Sequence, residues 1–181
     1  MTVTLVLGGA RSGKSAFAQR AAEATTRSGR PVLIATGQPF DDEMRERIAR
    51  HQADRGEVWR TIEAPLDLAG ALNALGEHEN ALGEHEIVVV DCLTLWLSNQ
   101  MLADHDLAAE SLGLIEAVAN CPARLWIVSN EVGWGVVPET ALGRRFRDEA
   151  GRLHQDLATI ADEVILVVAG LPLRLKPQPE D

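Results

Sequence analysis

The chain has 181 residues, of which 46% are hydrophobic and 24% charged, a balance typical of a globular domain with a full core. Its formal net charge of -10 argues against a surface that binds duplex nucleic acid, which needs an excess of Lys and Arg. No apolar run approaches the ~18 residues of a membrane span, and no targeting signal is visible. We therefore predict one cytoplasmic domain over residues 1–181, with a frayed tail from about residue 176.

Short β-branched runs alternate with longer amphipathic segments, which predicts an α/β fold with a mostly parallel sheet flanked by helices. Strands are expected near residues 2–7, 32–36, 87–91, 124–129 and 163–169. Helices are expected near residues 14–27, 41–53, 66–75, 107–119 and 140–161. The stretch "PLRLK" that follows the last strand is compatible with a short antiparallel edge strand.

The segment "GGARSGKS" matches the phosphate-loop pattern G-x-x-x-x-G-K-S/T between a predicted strand and a predicted helix. Glycines let the backbone turn its N–H groups toward a phosphate, and the helix start adds the positive end of its dipole. Lys14 is expected to reach the β- and γ-phosphates, and Ser15 to offer its hydroxyl to Mg²⁺. The predicted nucleotide-binding residues of this loop are Gly8, Gly9, Ala10, Arg11, Ser12, Gly13, Lys14 and Ser15.

A second acidic motif, "EIVVVDCLT", places Asp91 at the carboxyl end of an apolar strand. Apolar strands often end in Asp, so the motif carries weight only beside the phosphate loop. Because the phosphate loop is present, we predict that Asp91 binds Mg²⁺, either directly or through water. Cys92 and Cys121 lie beside apolar runs, and we expect both to be buried free thiols.

His51 stands among arginines in "DDEMRERIARHQADRG". Met44, Ile48 and His51 fall at helical spacing, so one interpretation is a histidine at the edge of the core. Arg47 and Arg55 lie four residues to either side, and two nearby cations disfavour a protonated imidazole. A neutral ring nitrogen among arginines suits attack on phosphorus, so a nucleophile is the other interpretation.

Five segments together resemble the bifunctional adenosylcobinamide kinase/adenosylcobinamide-phosphate guanylyltransferase family of cobalamin biosynthesis. They are "LGGARSGKS", "IATGQPFDDEMRERIARHQ", "WRTIEAP", "SNEVGWGVVPE" and "FRDEAGRLHQDLA", which span nearly the whole chain in the family's order. The resemblance implies a RecA-like P-loop NTPase fold. It also implies an enzyme that phosphorylates adenosylcobinamide with ATP or GTP and then transfers GMP from GTP, through a guanylyl-histidine, to give adenosylcobinamide-GDP and pyrophosphate.

The resemblance also assigns roles to individual positions. It makes His51 the histidine that becomes guanylylated. His51 and Lys14 are then the two catalytic residues. The nucleotide contacts that it implies outside the phosphate loop are Ala35, Thr36, Gly37, Gln52, Ala53, Asp54, Arg55, Glu63 and Asp91. His154 stands where the family pattern suggests Asn, which we interpret as a neutral exchange on a helix. The implied cofactor is Mg²⁺, the implied partners are a corrinoid and a nucleoside triphosphate, and the implied assembly is a homotrimer.

Two other classes of protein stay open from the residues alone. One is an ordinary P-loop kinase or ATPase in which His51 is structural, and the other is a nucleotide-binding module without turnover. The preference for ATP or GTP and the exact role of Asp91 are not assigned. Among the four tryptophans, Trp134 is the best candidate for a flat contact with the corrinoid, because it lies in the loop that follows Asn130 and Glu131.

Overall fold

A computed structural model describes residues 2–26, 29–38, 46, 58–77 and 87–177. The strands are β1 Thr2–Gly8, β2 Val32–Ala35, β3 Arg60–Glu63, β4 Ile87–Asp91, β5 Arg124–Asn130, β6 Glu163–Val168 and β7 Leu171–Lys176. The longer helices are α1 Lys14–Thr25, α2 Leu68–Glu77, α3 Leu93–Leu102, α4 Leu107–Asn120 and α5 Ala141–Ile160.

The seven strands form one sheet in the order β3-β2-β4-β5-β1-β6-β7. All neighbours are parallel except the last pair, in which β7 runs antiparallel to β6. Strand β5 lies between β1 and β4, so Gly8 at the end of β1 pairs with Asn130, and Asp91 at the end of β4 pairs with Val128. The carboxyl ends of the parallel strands therefore meet at one edge, where open α/β sheets bind their ligands.

Apolar side chains cover both faces of the sheet. One face packs against α1, where Phe17 meets Trp126 edge-on with ring centroids 6.2 Å apart. The opposite face packs against the other four helices, with Trp96 and Leu114 among its fully buried side chains. Burial on both sides explains why the central strands read as continuous apolar runs.

The predicted α/β fold and its antiparallel edge strand are confirmed. Two elements, β3 and α3, were absent from the prediction. Strand β3 reads "RTIE" at the sheet edge and is mostly exposed, so it has no apolar run to reveal it. Helix α3 reads "LTLWLSNQML" and buries polar as well as apolar residues, which hides the usual polar face.

Two further predictions concern the cysteines and the helix near residues 41–53. Cys92 and Cys121 are free and buried, as expected, and burial raises the pKa of both thiols. The predicted helix near 41–53 lies outside the described residues, apart from Glu46, which is helical and exposed.

Over the described ranges, we find no helix that combines the length and apolarity required to traverse a bilayer.

Candidate active site

The phosphate loop joins β1 to α1 in the conformation that its sequence predicts. Gly13, which immediately precedes the helix, has a φ of 91°, in the left-handed region that glycine adopts without strain. Ser12 N donates to Gly9 O at 3.2 Å, and Phe17 N donates to Gly13 O at 2.9 Å. The helix thus begins directly at the loop, where its first N–H groups favour an anion.

Lys14 is the first residue of α1 and is only 7% exposed. Its Nζ donates to Gly9 O at 3.2 Å, which holds the ammonium group against the loop itself. Ser15, the next residue, is partly exposed. A buried ammonium at the start of a helix is suited to neutralise the charge of a polyphosphate.

The loop rests on the hairpin between β6 and β7. Gly170, in the hairpin turn, donates from its N to Ser12 O at 2.8 Å. A Cβ on Gly13 would lie 3.3 Å from the Cα of Gly170, and one on Gly8 would lie 2.6 Å from Val167 O. The phosphate loop and the β6–β7 hairpin approach so closely that both positions favour glycine. This preference adds to the one that arises because the loop N–H groups must face a phosphate.

Asp91 lies at the same sheet edge, in register with Ala35 on one side and Val128 on the other, and it is partly exposed. Its carboxylate and the hydroxyl of Ser15 are hard oxygen donors of the kind that Mg²⁺ prefers. Both residues keep some exposure to solvent, and Mg²⁺ usually retains several waters. The residues present therefore fit a magnesium ion.

Thr36, which follows β2, is fully buried and bonded to the chain around Asp91. Its Oγ1 donates to Cys92 O at 2.7 Å and accepts from Cys92 N at 2.9 Å. Its backbone N donates to Asp91 O at 3.3 Å, and its backbone O accepts from Asn99 Nδ2 at 2.8 Å. Each polar group of Thr36 thus has a partner within the protein, and these bonds fix the backbone on either side of the Asp91–Cys92 peptide.

Helix α3 extends this network to the end of β3. Asn99 Nδ2 also donates to Pro65 O at 2.9 Å, while Trp96 Nε1 and Gln100 Nε2 donate to Leu66 O at 2.8 Å and 2.7 Å. These bonds fix the segment that follows Glu63 in the sequence. Glu63 itself is exposed and lines an open cavity of about 490 Å³ beside α2. These side chains were not predicted from the sequence, in which the available signal was the presence of polar residues inside a strongly apolar segment.

The network reaches β5 through Asn130. Asn130 Nδ2 donates to Thr94 Oγ1 at 2.7 Å, and Thr94 Oγ1 lies 3.2 Å from Cys92 Sγ. Glu131, the next residue, donates from its N to Gly8 O at 2.9 Å. Hydrogen bonds thus connect the strand end carrying Asp91 with the start of the phosphate loop.

His154 lies on α5, as expected, but is buried, with its Nε2 2.7 Å from Ser129 Oγ. Burial lowers the pKa of His154, and the charge of Glu131 opposes that effect in part. Ser129 precedes Asn130 on β5 and is fully buried, so His154 is a hydrogen-bonded core residue behind the strand end.

The structure therefore brings most of the predicted site to one edge of the sheet. The phosphate loop, the segment of Ala35, Thr36 and Gly37, Glu63 and Asp91 all lie at carboxyl ends of parallel strands or directly after them. His51 and the four residues that follow it lie outside the described residues. They are Gln52, Ala53, Asp54 and Arg55.

The family model for "Cobinamide kinase / cobinamide phosphate guanyltransferase", CobU, matches residues 4–175. The chain belongs to the CobU family. The bifunctional adenosylcobalamin biosynthesis protein CobP of Pseudomonas aeruginosa is 48% identical over 178 residues, which cover 97% of this chain and 98% of that protein. The corresponding CobU protein of Escherichia coli is 42% identical over 188 residues, which cover 95% of this chain and 98% of that protein.

Solved structures show that this CobU-family chain shares its fold with distant proteins. One solved ATPase domain has a TM-score of 0.53 and 13% identity, covering 91% of this chain and 68% of that one. A second solved protein, from Pyrococcus horikoshii, has a TM-score of 0.52 and 9% identity, covering 99% of this chain and 88% of that one. The predicted P-loop NTPase fold, the family, and the bifunctional kinase and guanylyltransferase activity that defines the family are confirmed.

Proposed function

We propose that this CobU-family chain carries out both reactions with one phosphate loop and that His51 carries the guanylyl group between them. The observation that supports this most directly is the loop itself, in which the buried Lys14 lies at the start of α1 within the segment matched by the family. A P-loop kinase needs little covalent chemistry from its protein, since alignment and charge neutralisation supply most of the catalysis.

In the kinase step, the aminopropanol hydroxyl of adenosylcobinamide attacks the γ-phosphorus of ATP or GTP and releases its proton to solvent. The bond from γ-phosphorus to the bridging oxygen breaks, and the nucleoside diphosphate leaves. Lys14 and the loop N–H groups neutralise the charge that develops on the phosphate oxygens. Ser15 and Asp91 would hold Mg²⁺, which supplies further positive charge when bound.

In the guanylyl step, a ring nitrogen of His51 attacks the α-phosphorus of GTP and pyrophosphate leaves. A phosphate oxygen of adenosylcobinamide phosphate then attacks the same phosphorus, the phosphorus–nitrogen bond breaks, and His51 is restored. The product is adenosylcobinamide-GDP. A covalent intermediate divides the transfer into two steps, so that GTP reacts in the first step and the bulky corrinoid reacts only in the second.

The test is to incubate the protein with Mg²⁺ and α-³²P-GTP, denature it, and measure bound label. We expect label that resists base and is lost in acid, as for a phosphorus–nitrogen bond, and none on His51→Ala. His105→Ala is the matched control, because His105 is an exposed histidine beside Gln100, outside the proposed nucleotide contacts. Wild type without label while GTP is consumed would refute the intermediate and favour an ordinary P-loop phosphotransferase.

The remaining parts of the proposal rest on the family resemblance. We propose that Gln52, Ala53, Asp54 and Arg55 contact GTP beside His51, and that the chain assembles as a homotrimer. Light scattering of the purified protein measures its molar mass and tests the trimer. Cytoplasmic location stays a prediction.

A further inference from the structure

Trp134 differs from the other three tryptophans of the chain. Trp59, Trp96 and Trp126 are between 1% and 8% exposed and belong to the core, as is usual for this residue. Trp134 is 74% exposed. An indole ring left in water loses the free energy that burial would provide, so this position calls for a separate explanation.

Three further exposed apolar side chains follow Trp134 within a short stretch of sequence. Val136 is 96% exposed, Val137 57% and Leu142 56%, and they follow Trp134 in the loop and the first turn of α5. We call these four residues the Trp134 patch. Single exposed apolar residues are common, whereas several of them in one short segment favour a surface that a ligand or a partner covers.

Hydrogen bonds brace both ends of the loop that carries the patch. At its start, Glu131 Oε1 accepts from Gly133 N at 2.6 Å. At its end, Arg144 Nη1 donates to Pro138 O at 3.0 Å and to Glu139 O at 2.7 Å. A preorganised surface loses little conformational entropy when a ligand binds, which favours a rigid ligand.

The loop also begins at the phosphate site. Glu131 N donates to Gly8 O at 2.9 Å, and Asn130 is in register with Gly8. Trp134 follows only three residues later. The segment that carries the patch is therefore bonded at its start to the phosphate loop, and a large acceptor that reaches this loop has its body nearby.

We propose that the Trp134 patch binds the macrocycle of the corrinoid acceptor, an inference that rests on the proposed function. A corrin ring is a broad conjugated macrocycle whose edge carries many methyl groups, and these apolar groups match an indole ring and its aliphatic neighbours. The aminopropanol arm, or its phosphate, extends from the ring toward Lys14. The patch thus supplies affinity for the acceptor, while the phosphate loop supplies the chemistry.

The test compares Trp134→Ala and Trp134→Phe with wild type by calorimetric titration with adenosylcobinamide. Stacking on an aromatic side chain contributes about 1–3 kcal/mol, so we expect Trp134→Ala to weaken Kd by roughly 5- to 150-fold. Trp134→Phe keeps an aromatic face and should recover a large part of that loss. The matched control is Leu112→Ala, which removes a 58% exposed side chain from α4 and should leave Kd unchanged.

Three results would overturn the inference, and they separate it from the proposed function. If wild type binds adenosylcobinamide and Trp134→Ala binds it equally well, the patch is not the corrinoid site. If Trp134→Ala loses affinity only as its molar mass by light scattering falls, the patch is a contact between copies of the chain. If wild type binds GTP but no corrinoid, the acceptor assigned under the proposed function is wrong, and this inference fails with it.

Discussion

Thr36→Val removes one hydroxyl from the centre of the hydrogen-bond network behind Asp91. The substitution leaves Cys92 N and Cys92 O without their side-chain partner in a place where Thr36 is 0% exposed. A buried polar group left unpaired costs about 1–3 kcal/mol, and two such groups give about 2–6 kcal/mol. We therefore expect the free energy of unfolding to fall by about 3 kcal/mol, a large share of the stability of a typical domain.

Urea denaturation followed by circular dichroism measures this change through the midpoint and slope. Thr36→Ser keeps the hydroxyl and loses one buried methyl group, so it should cost only about 1 kcal/mol. Thr61→Val is the matched control, because Thr61 is an exposed threonine on the neighbouring edge strand β3 and should change stability by less than about 0.5 kcal/mol. If Thr36→Ser and Thr36→Val are equally destabilised, the two hydrogen bonds do not carry the stability that we assign to them.

Three further predictions concern the loop, its support and pH. Lys14→Ala should lower both the kinase and the guanylyl activity by several orders of magnitude, since one loop serves both; an unaffected activity would contradict a shared loop. Gly170→Ala places a Cβ at a φ of 81°, so it should lower the free energy of unfolding by about 1 kcal/mol and weaken GTP binding several-fold. Gly151→Ala is the control, because its Cβ would meet open space on α5 and should stabilise the protein slightly. Burial lowers the pKa of His154 from its ordinary value of 6.5, so between that lowered pKa and 6.5 the unfolded chain binds more protons than the native one. Stability should therefore fall as pH drops from 6.5 through this window, and His154→Gln should reduce that slope in acid titrations of unfolding.

The phosphate loop could be predicted from the sequence because its signal is local. Gly8, Gly13, Lys14 and Ser15 lie within one short segment, in which the loop conformation favours the glycines, and binding of phosphate and Mg²⁺ favours the lysine and the serine. Asp91 was also predictable, since an apolar strand places its last residue at the edge of the sheet. In both cases the chemistry depends on neighbours in sequence.

The supporting network could not be predicted, because its partners are distant in sequence. Thr36 and Cys92 are 56 positions apart, and Asn99 and Pro65 are 34 apart. An asparagine that reaches a carbonyl of another segment has no pattern of its own until the sheet brings the two together. Strand β3 was missed for a related reason, since its strand state comes from pairing with β2 and not from its own composition.

The contact between Gly170 and the phosphate loop has a consequence for the nascent chain. The loop lies near residue 10, whereas the turn that donates to Ser12 O lies between β6 and β7, about 160 residues later in the sequence. During translation, the loop therefore emerges long before its support, and Gly13 cannot pack against Gly170 until synthesis has passed β6 and the turn that follows it. We expect a ribosome-bound chain arrested before β6 to bind GTP more weakly than one that has passed β7, because the phosphate loop then lacks this support.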